Sequence, residues 1–157
     1  MSTPSTVPPL PRAYDALRPR VLQRLLELRS SLDPSLGRLD DATARAQITA
    51  VLDHIGNFIA TGDLGIHRAF LHTFLAMRAA ESQSPAAVLA MLVAIGDTAA
   101  QVAQEAGAGT VEGAELTLVL TRVTASTARA VNDLIAEELE RRTATWRSLT
   151  PGRGEPA

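Results

Sequence analysis

Between Thr110 and Pro151 an apolar stripe recurs at helical spacing through Leu116, Val119, Leu120, Val123, Thr127, Ala130, Val131, Leu134, Ile135 and Leu139. Intervals of three and four residues put these side chains on one face of an α-helix. Thr110 is a capping residue, and Glu112 and Glu115 place negative charge in the first turns. Arg141, Arg142 and Arg147 gather near the far end, where positive charge suits the dipole, and Pro151-Gly152 stops the helix. Roughly 35 residues at about 1.5 Å each make a rod on the order of 50 Å, against roughly 30 Å for a helix of about 20 residues. Such a rod overhangs its own bundle unless it bends, and Thr124-Ala125-Ser126-Thr127 is the expected place for a bend. An overhanging amphipathic helix exposes apolar surface that calls for a partner. The sequence therefore predicts a homodimer with Leu120, Val123, Val131, Leu134 and Ile135 at its interface, and with the first helix as a second contributor.

The remaining helices are of ordinary length and clearly punctuated. The first, about 13 to 32, carries Leu17, Val21, Leu25, Leu28 and Leu32 on one face, widened by Leu22 and Leu26. Pro19 is expected near its start, where a missing N–H matters least, and Asp33-Pro34 breaks it. A second helix opens at Asp40 or Asp41, presents Ile48, Val51, Leu52, Ile55 and Ile59, and closes at Thr61-Gly62. Gly62 suits a left-handed cap and Asp63 caps the next element, so the second and third helices are expected to be neighbours across a tight turn.

The third helix carries Leu64, Ile66, Phe70, Leu71, Phe74, Leu75 and Met77, a surface wider than one stripe. It is expected at the centre of the core. Ser84-Pro85 opens the fourth, which runs through Val88, Leu89, Leu92, Ile95, Ala99 and Val102 to about 106. Gly96 lies inside it at a cost of roughly 1 kcal/mol relative to Ala, for which close approach of another backbone is the plainest compensation. The flexible Gly107-Ala108-Gly109 leads into the long fifth helix.

No strand or hairpin signal is present. The fold class is all-α, with about five helices in a bundle or globin-like arrangement and a long C-terminal helix. A chain of 157 residues suits one domain, here 13–148, between disordered tails at 1–12 and 149–157. Ala, Leu and Val carry the apolar content, with few aromatics, which favours helices over sheets.

The formal charge is −2, every basic residue is Arg, and no basic cluster marks a nucleic-acid surface. The all-Arg usage, with abundant Ala, Gly and Pro, looks like the coding bias of a GC-rich genome. Absence of Cys excludes disulfides, thiolate metal sites and a Cys nucleophile. The first eleven residues lack the features of a signal peptide, and uninterrupted apolar runs fall short of the roughly 20 residues of a membrane span. A cytoplasmic protein with no membrane or nucleic-acid partner is expected.

Three histidines invite a chemical reading, because imidazole ligates metals and haem and accepts phosphate. His67 and His72 are five residues apart, about 140° around a helix, and so point to different faces. His54 stands on another helix and meets one of them only through tertiary packing that spacing does not reveal. Each is expected to be an ordinary core-edge or surface histidine.

No Glu-x-x-His motif supports a di-iron site, and phosphate loops, dinucleotide fingerprints and nucleophile elbows are absent. No catalytic residue, metal or cofactor is expected. Thr117, Thr121, Thr124 and Thr127 either line a cavity or return their hydroxyls to carbonyls one turn back. If a ligand pocket exists, Phe58, His67, Phe70, Phe74 and Met77 are best suited to wall it.

From Val51 to Gln104 the order of features, in VLDHIGNFIATGDLGIHRAFLHTFLAMRAAESQSPAAVLAMLVAIGDTAAQVAQ, resembles the helical amino-terminal sensor domain of RsbR-type (RsbT co-antagonist) proteins of bacterial stress signalling, relatives of globins without haem. The resemblance implies a dimeric sensing or interaction module that signals through its last helix to a downstream domain. The departure is that no such domain follows, so an excised sensor segment or a free-standing adaptor is expected. The leading expectation is a non-enzymatic regulatory module, a dimer that binds a regulatory protein partner and, as a further expectation, a small ligand. The alternatives are a globin-like haem or cofactor binder using His54, His67 or His72, and histidine phosphotransfer through His54.

Overall fold

The computed structural model describes residues 10–150, apart from the side chain of residue 35. Its elements are α1 (Leu10–Leu32), the single turn α2 (Pro34–Gly37), α3 (Asp41–Thr61), α4 (Leu64–Ala80), α5 (Pro85–Ala106) and α6 (Val111–Leu149). The chain is all-helical, five long helices and one short turn, with no strand among the described residues. The expected tails fall mostly outside the described residues, but Leu10 to Arg12 form the first turn of α1 and Leu149 still belongs to α6.

The punctuation read from the sequence sets the ends. Asp40, Asp63, Ser84 and Thr110 each accept a hydrogen bond from the backbone N–H three residues on, which satisfies one of the free donors of a helix start. Gly62, at φ +62°, closes α3 in the left-handed conformation and donates its N–H to the Phe58 carbonyl at 2.8 Å. Pro19 stands inside α1 rather than at its start. The missing backbone donor is offset by packing on both sides of it, since Tyr14, Val21 and Leu25 are wholly buried. The Tyr14 hydroxyl also donates to the Leu52 carbonyl at 2.7 Å, tying α1 to α3.

The centre of the core is α5, not α4. Ten residues of α5 are buried, against His67, Leu71, Phe74 and Arg78 of α4, whose Leu64, Ile66 and Met77 are exposed. Side-chain size explains the difference: Gly96, Ala99, Ala100 and Ala103 let α1, α4 and α6 approach α5 from several sides, whereas the large residues of α4 fill one interface and project on the other. The length and mean hydropathy of α5, 1.7 over its most apolar stretch, would also suit a membrane span; half of that stretch is buried inside the bundle, as in a core helix.

At Gly96 the close neighbour is a side chain and not a backbone: a Cβ there would lie 2.1 Å from Thr124 Oγ1 and 3.0 Å from Thr124 Cβ. The contact fixes the register of the antiparallel α5–α6 pair. Counting from it in both directions puts Pro85, the first residue of α5, level with Ile135.

Helix α6 passes through Thr124–Thr127 as one element of 39 residues, about 58 Å long. Thr117, Thr121, Thr124 and Thr127 all return their hydroxyls to the carbonyl four residues back, at 2.7–2.9 Å. The stripe expected at a dimer interface lies inside the bundle of the single chain: Leu120, Val123, Val131 and Leu134 are buried and Ile135 is half-buried. A stripe that faces α5 and its neighbours along the bundle cannot also face a second chain. Beyond it the helix does overhang, and every residue from Leu139 to Thr150 is exposed.

In a free helix Gly96→Ala stabilises by about 1 kcal/mol. Here it is expected to destabilise by about 1–3 kcal/mol, because the new methyl overlaps Thr124. Adding Thr124→Ala should recover at least half of the loss in a urea-unfolding double-mutant cycle. A stabilised single variant would contradict this packing.

Candidate functional site

Across the Gly62 turn, α3 and α4 run side by side, and residues equidistant from the turn face one another. Phe58 meets His67 with ring centroids 4.3 Å apart, and His54 meets Phe70 at 3.9 Å with 7° between the planes. The diagonal neighbours are the two histidines. His54 Nε2 and His67 Nδ1 are 2.6 Å apart and the rings are within 8° of coplanar, so the imidazoles lie edge to edge in an in-plane N–H···N hydrogen bond. Both are buried, His54 at 8% and His67 at 2% exposure.

The neighbours favour one proton order. Thr127 Oγ1 on α6 donates to the Val123 carbonyl at 2.9 Å, which leaves its oxygen free to accept from His67 Nε2, 3.5 Å away. A proton on His67 Nε2 makes Nδ1 the acceptor, and His54 Nε2–H is then the donor. A directional chain therefore runs from α3 through α4 to α6: His54 to His67 to Thr127 to the Val123 carbonyl.

Further along α4, Phe70 and Phe74 lie 5.7 Å apart, and the Arg78 guanidinium sits 5.0 Å over the Phe74 ring. Arg78 is nearly buried and bonds Glu81 Oε2 at 2.7 Å, while its Nε has no hydrogen-bond partner. The rings are closely packed: the cavity beside them, lined by His54, Phe70, Val123 and Thr127 among others, has a volume of about 10 Å³, room for roughly one water.

Burial disfavours the charged form of both imidazoles. It lowers His54 to about 4, with the neighbouring His67 adding to the effect, and it lowers His67 as well. The pair is neutral at pH 7, the state its hydrogen bond requires. Two charged rings would lose the acceptor nitrogen and repel.

The expected pocket residues divide. Phe58, His67, Phe70 and Phe74 come together, but as a filled aromatic cluster; Met77 is 56% exposed and stands outside it. His72 is exposed. His54, read as an ordinary histidine, proves to be the centre of the cluster. Its signal was present in the stripe Val51, His54, Ile55 and Phe58, matched on α4 by His67, Phe70, Leu71 and Phe74. Folding the two stripes about Gly62 sets imidazole beside imidazole.

The geometry gives haem ligation or phosphotransfer no foothold at the pair. The facing nitrogens are engaged with one another, phenylalanines cover the rings, and the adjoining cavity is far smaller than a porphyrin. Among the described residues no group of three or more His, Asp or Glu side chains converges on a metal position. Comparison with protein-family models, curated proteins and solved structures finds no match to this chain.

Because the folded state depresses both histidines, it binds fewer protons than the unfolded chain between the ordinary histidine value near 6.5 and about 4. The pair's contribution to stability is present above pH 6.5 and is lost as pH falls through that window. The unfolding free energy of the parent should therefore drop more steeply from pH 7 to 4.5 than that of His54→Leu/His67→Leu. Parallel pH profiles would contradict the assignment.

Proposed function

We propose that this chain is a non-enzymatic interaction module of the regulatory kind, a homodimer whose α6 arm joins two subunits and couples the body to its partner. The observation that carries the proposal is the uncovered arm. Leu139, Trp146 and Leu149 are 60%, 72% and 76% exposed. With Ile135 they follow spacings of four, seven and three residues, which hold them within a narrow sector of the helix and match the seam of a coiled coil. Arg142 interrupts the seam and is held by Glu138 through Nε at 2.7 Å.

A two-heptad arm is marginal as an isolated helix, and apolar residues on it gain from cover by an identical arm in an isologous pair. The hydrogen-bonded chain from His54 to Val123 supports the coupling role, because it ties the α3–α4 hairpin to the helix that becomes the arm. The proposal rests on the arm and not on the likeness of residues 51–104 to RsbR-type sensor domains.

The full chain is expected to sediment as a dimer at micromolar concentration. Leu139→Glu/Trp146→Glu should convert it to a monomer while leaving the unfolding free energy of the body within about 0.5 kcal/mol, as for exposed substitutions generally. A parent that is monomeric at tens of micromolar, or a variant that stays dimeric, would overturn the proposal.

A further inference from the structure

On the outer side of Phe58, between the end of α3 and the middle of α6, lies an open groove of about 480 Å³. Its floor is apolar, made by Phe58, Ile59, Val119 and Val123, and its polar side chains are Arg122, Ser126 and Arg129. These three stand at i, i+4 and i+7 on α6, which puts them on one face along about 10 Å of helix.

Their polar groups are unspent. The threonines of α6 from Thr117 to Thr145 return their hydroxyls to carbonyls of the preceding turn, but Ser126 makes no such bond. Arg68, Arg141 and Arg142 are paired with glutamates. Among the described residues Arg122 and Arg129 have no carboxylate at ion-pair distance, and no acidic residue lines the groove. Two guanidinium groups without an ion-paired carboxylate, and a hydroxyl, thus border an apolar floor. This is the complement of a molecule with an anionic head and a hydrocarbon tail, since small-molecule sites pair apolar walls with a few fixed polar groups. Arginine donates in a planar fork that fits carboxylate, sulfate and phosphate oxygens.

We propose that the groove between α3 and α6 binds a single-chain amphipathic anion. Its head lies at Ser126 between Arg122 and Arg129, and its tail lies on Phe58, Ile59, Val119 and Val123. The site is separate from the arm, so it stands or falls independently of the dimer. Its floor shares Phe58 with the histidine pair, because that ring also stacks on His67. A bound tail therefore packs against a residue already in contact with the chain that leads from His67 to α6.

The test is an NMR titration of the isotope-labelled full chain with decanoate below its micelle concentration, beside decanol and decyltrimethylammonium. Saturable shifts are expected at residues 58–59 and 119–129, with decanoate binding more tightly than either control. Arg122→Gln/Arg129→Gln should weaken binding at least about tenfold, and Arg142→Gln, on the arm, should leave it unchanged. Both arginines of the groove are exposed, so the variant is expected to fold as the parent does. Four results would overturn the proposal: no saturable shift at millimolar decanoate, equal affinity for decanol, an unaffected double variant, or binding to phosphatidylglycerol vesicles without binding to decanoate.

Discussion

The structure depends on a mismatch of length between two helices packed antiparallel. Helix α5 has 22 residues and α6 has 39, and the seating of Thr124 on Gly96 fixes how they slide against one another. In that register α5 is exhausted at the level of Ile135. Beyond that level the Arg68–Glu137 pair ties α6 to α4, and every residue from Leu139 to Thr150 is exposed. The small residues that let α6 come so close to α5 are thus also what determine where the arm begins.

Where α6 is covered, its polar residues have local solutions. Threonines satisfy themselves along the helix, and Thr127 has an oxygen left over to receive the end of the histidine chain. The pair costs stability if it is charged and supports the hairpin when neutral, so it acts as a specific tie between three helices, with a pH dependence set by burial. Substituting one histidine alone would leave the other ring nitrogen buried without its partner, which is generally more costly than replacing both with apolar residues.

Much of the fold was legible because it is written in short-range signals. Asp40, Gly62, Asp63, Ser84 with Pro85, and Thr110 are caps whose chemistry is local, and the structure uses each of them as expected. The core was less legible. Counting apolar residues favoured α4, whereas close packing rewarded the small residues of α5. The stripe expected at a dimer interface lies in the core for a related reason. One continuous stripe on α6 serves the core as far as Ile135 and is bare beyond Leu139, and only the register with α5 divides it. The histidine pair could have been found by folding α3 and α4 about Gly62; spacing along a single helix could not reveal it. Arg122 and Arg129 carry no motif in the sequence, and only the groove brings them together with Ser126 beside an apolar floor.

The most direct test of the central claim, that the uncovered arm is joined to a second copy, uses the absence of cysteine. A single spin label at Ala144→Cys sits at the middle of the arm on the side away from Leu139, where it does not disturb the seam. Packed helices have axes about 8–10 Å apart, so the account predicts one short inter-subunit distance, no longer than that separation plus the reach of two labels. Absence of dipolar coupling in the labelled full chain at concentrations of tens of micromolar would contradict it.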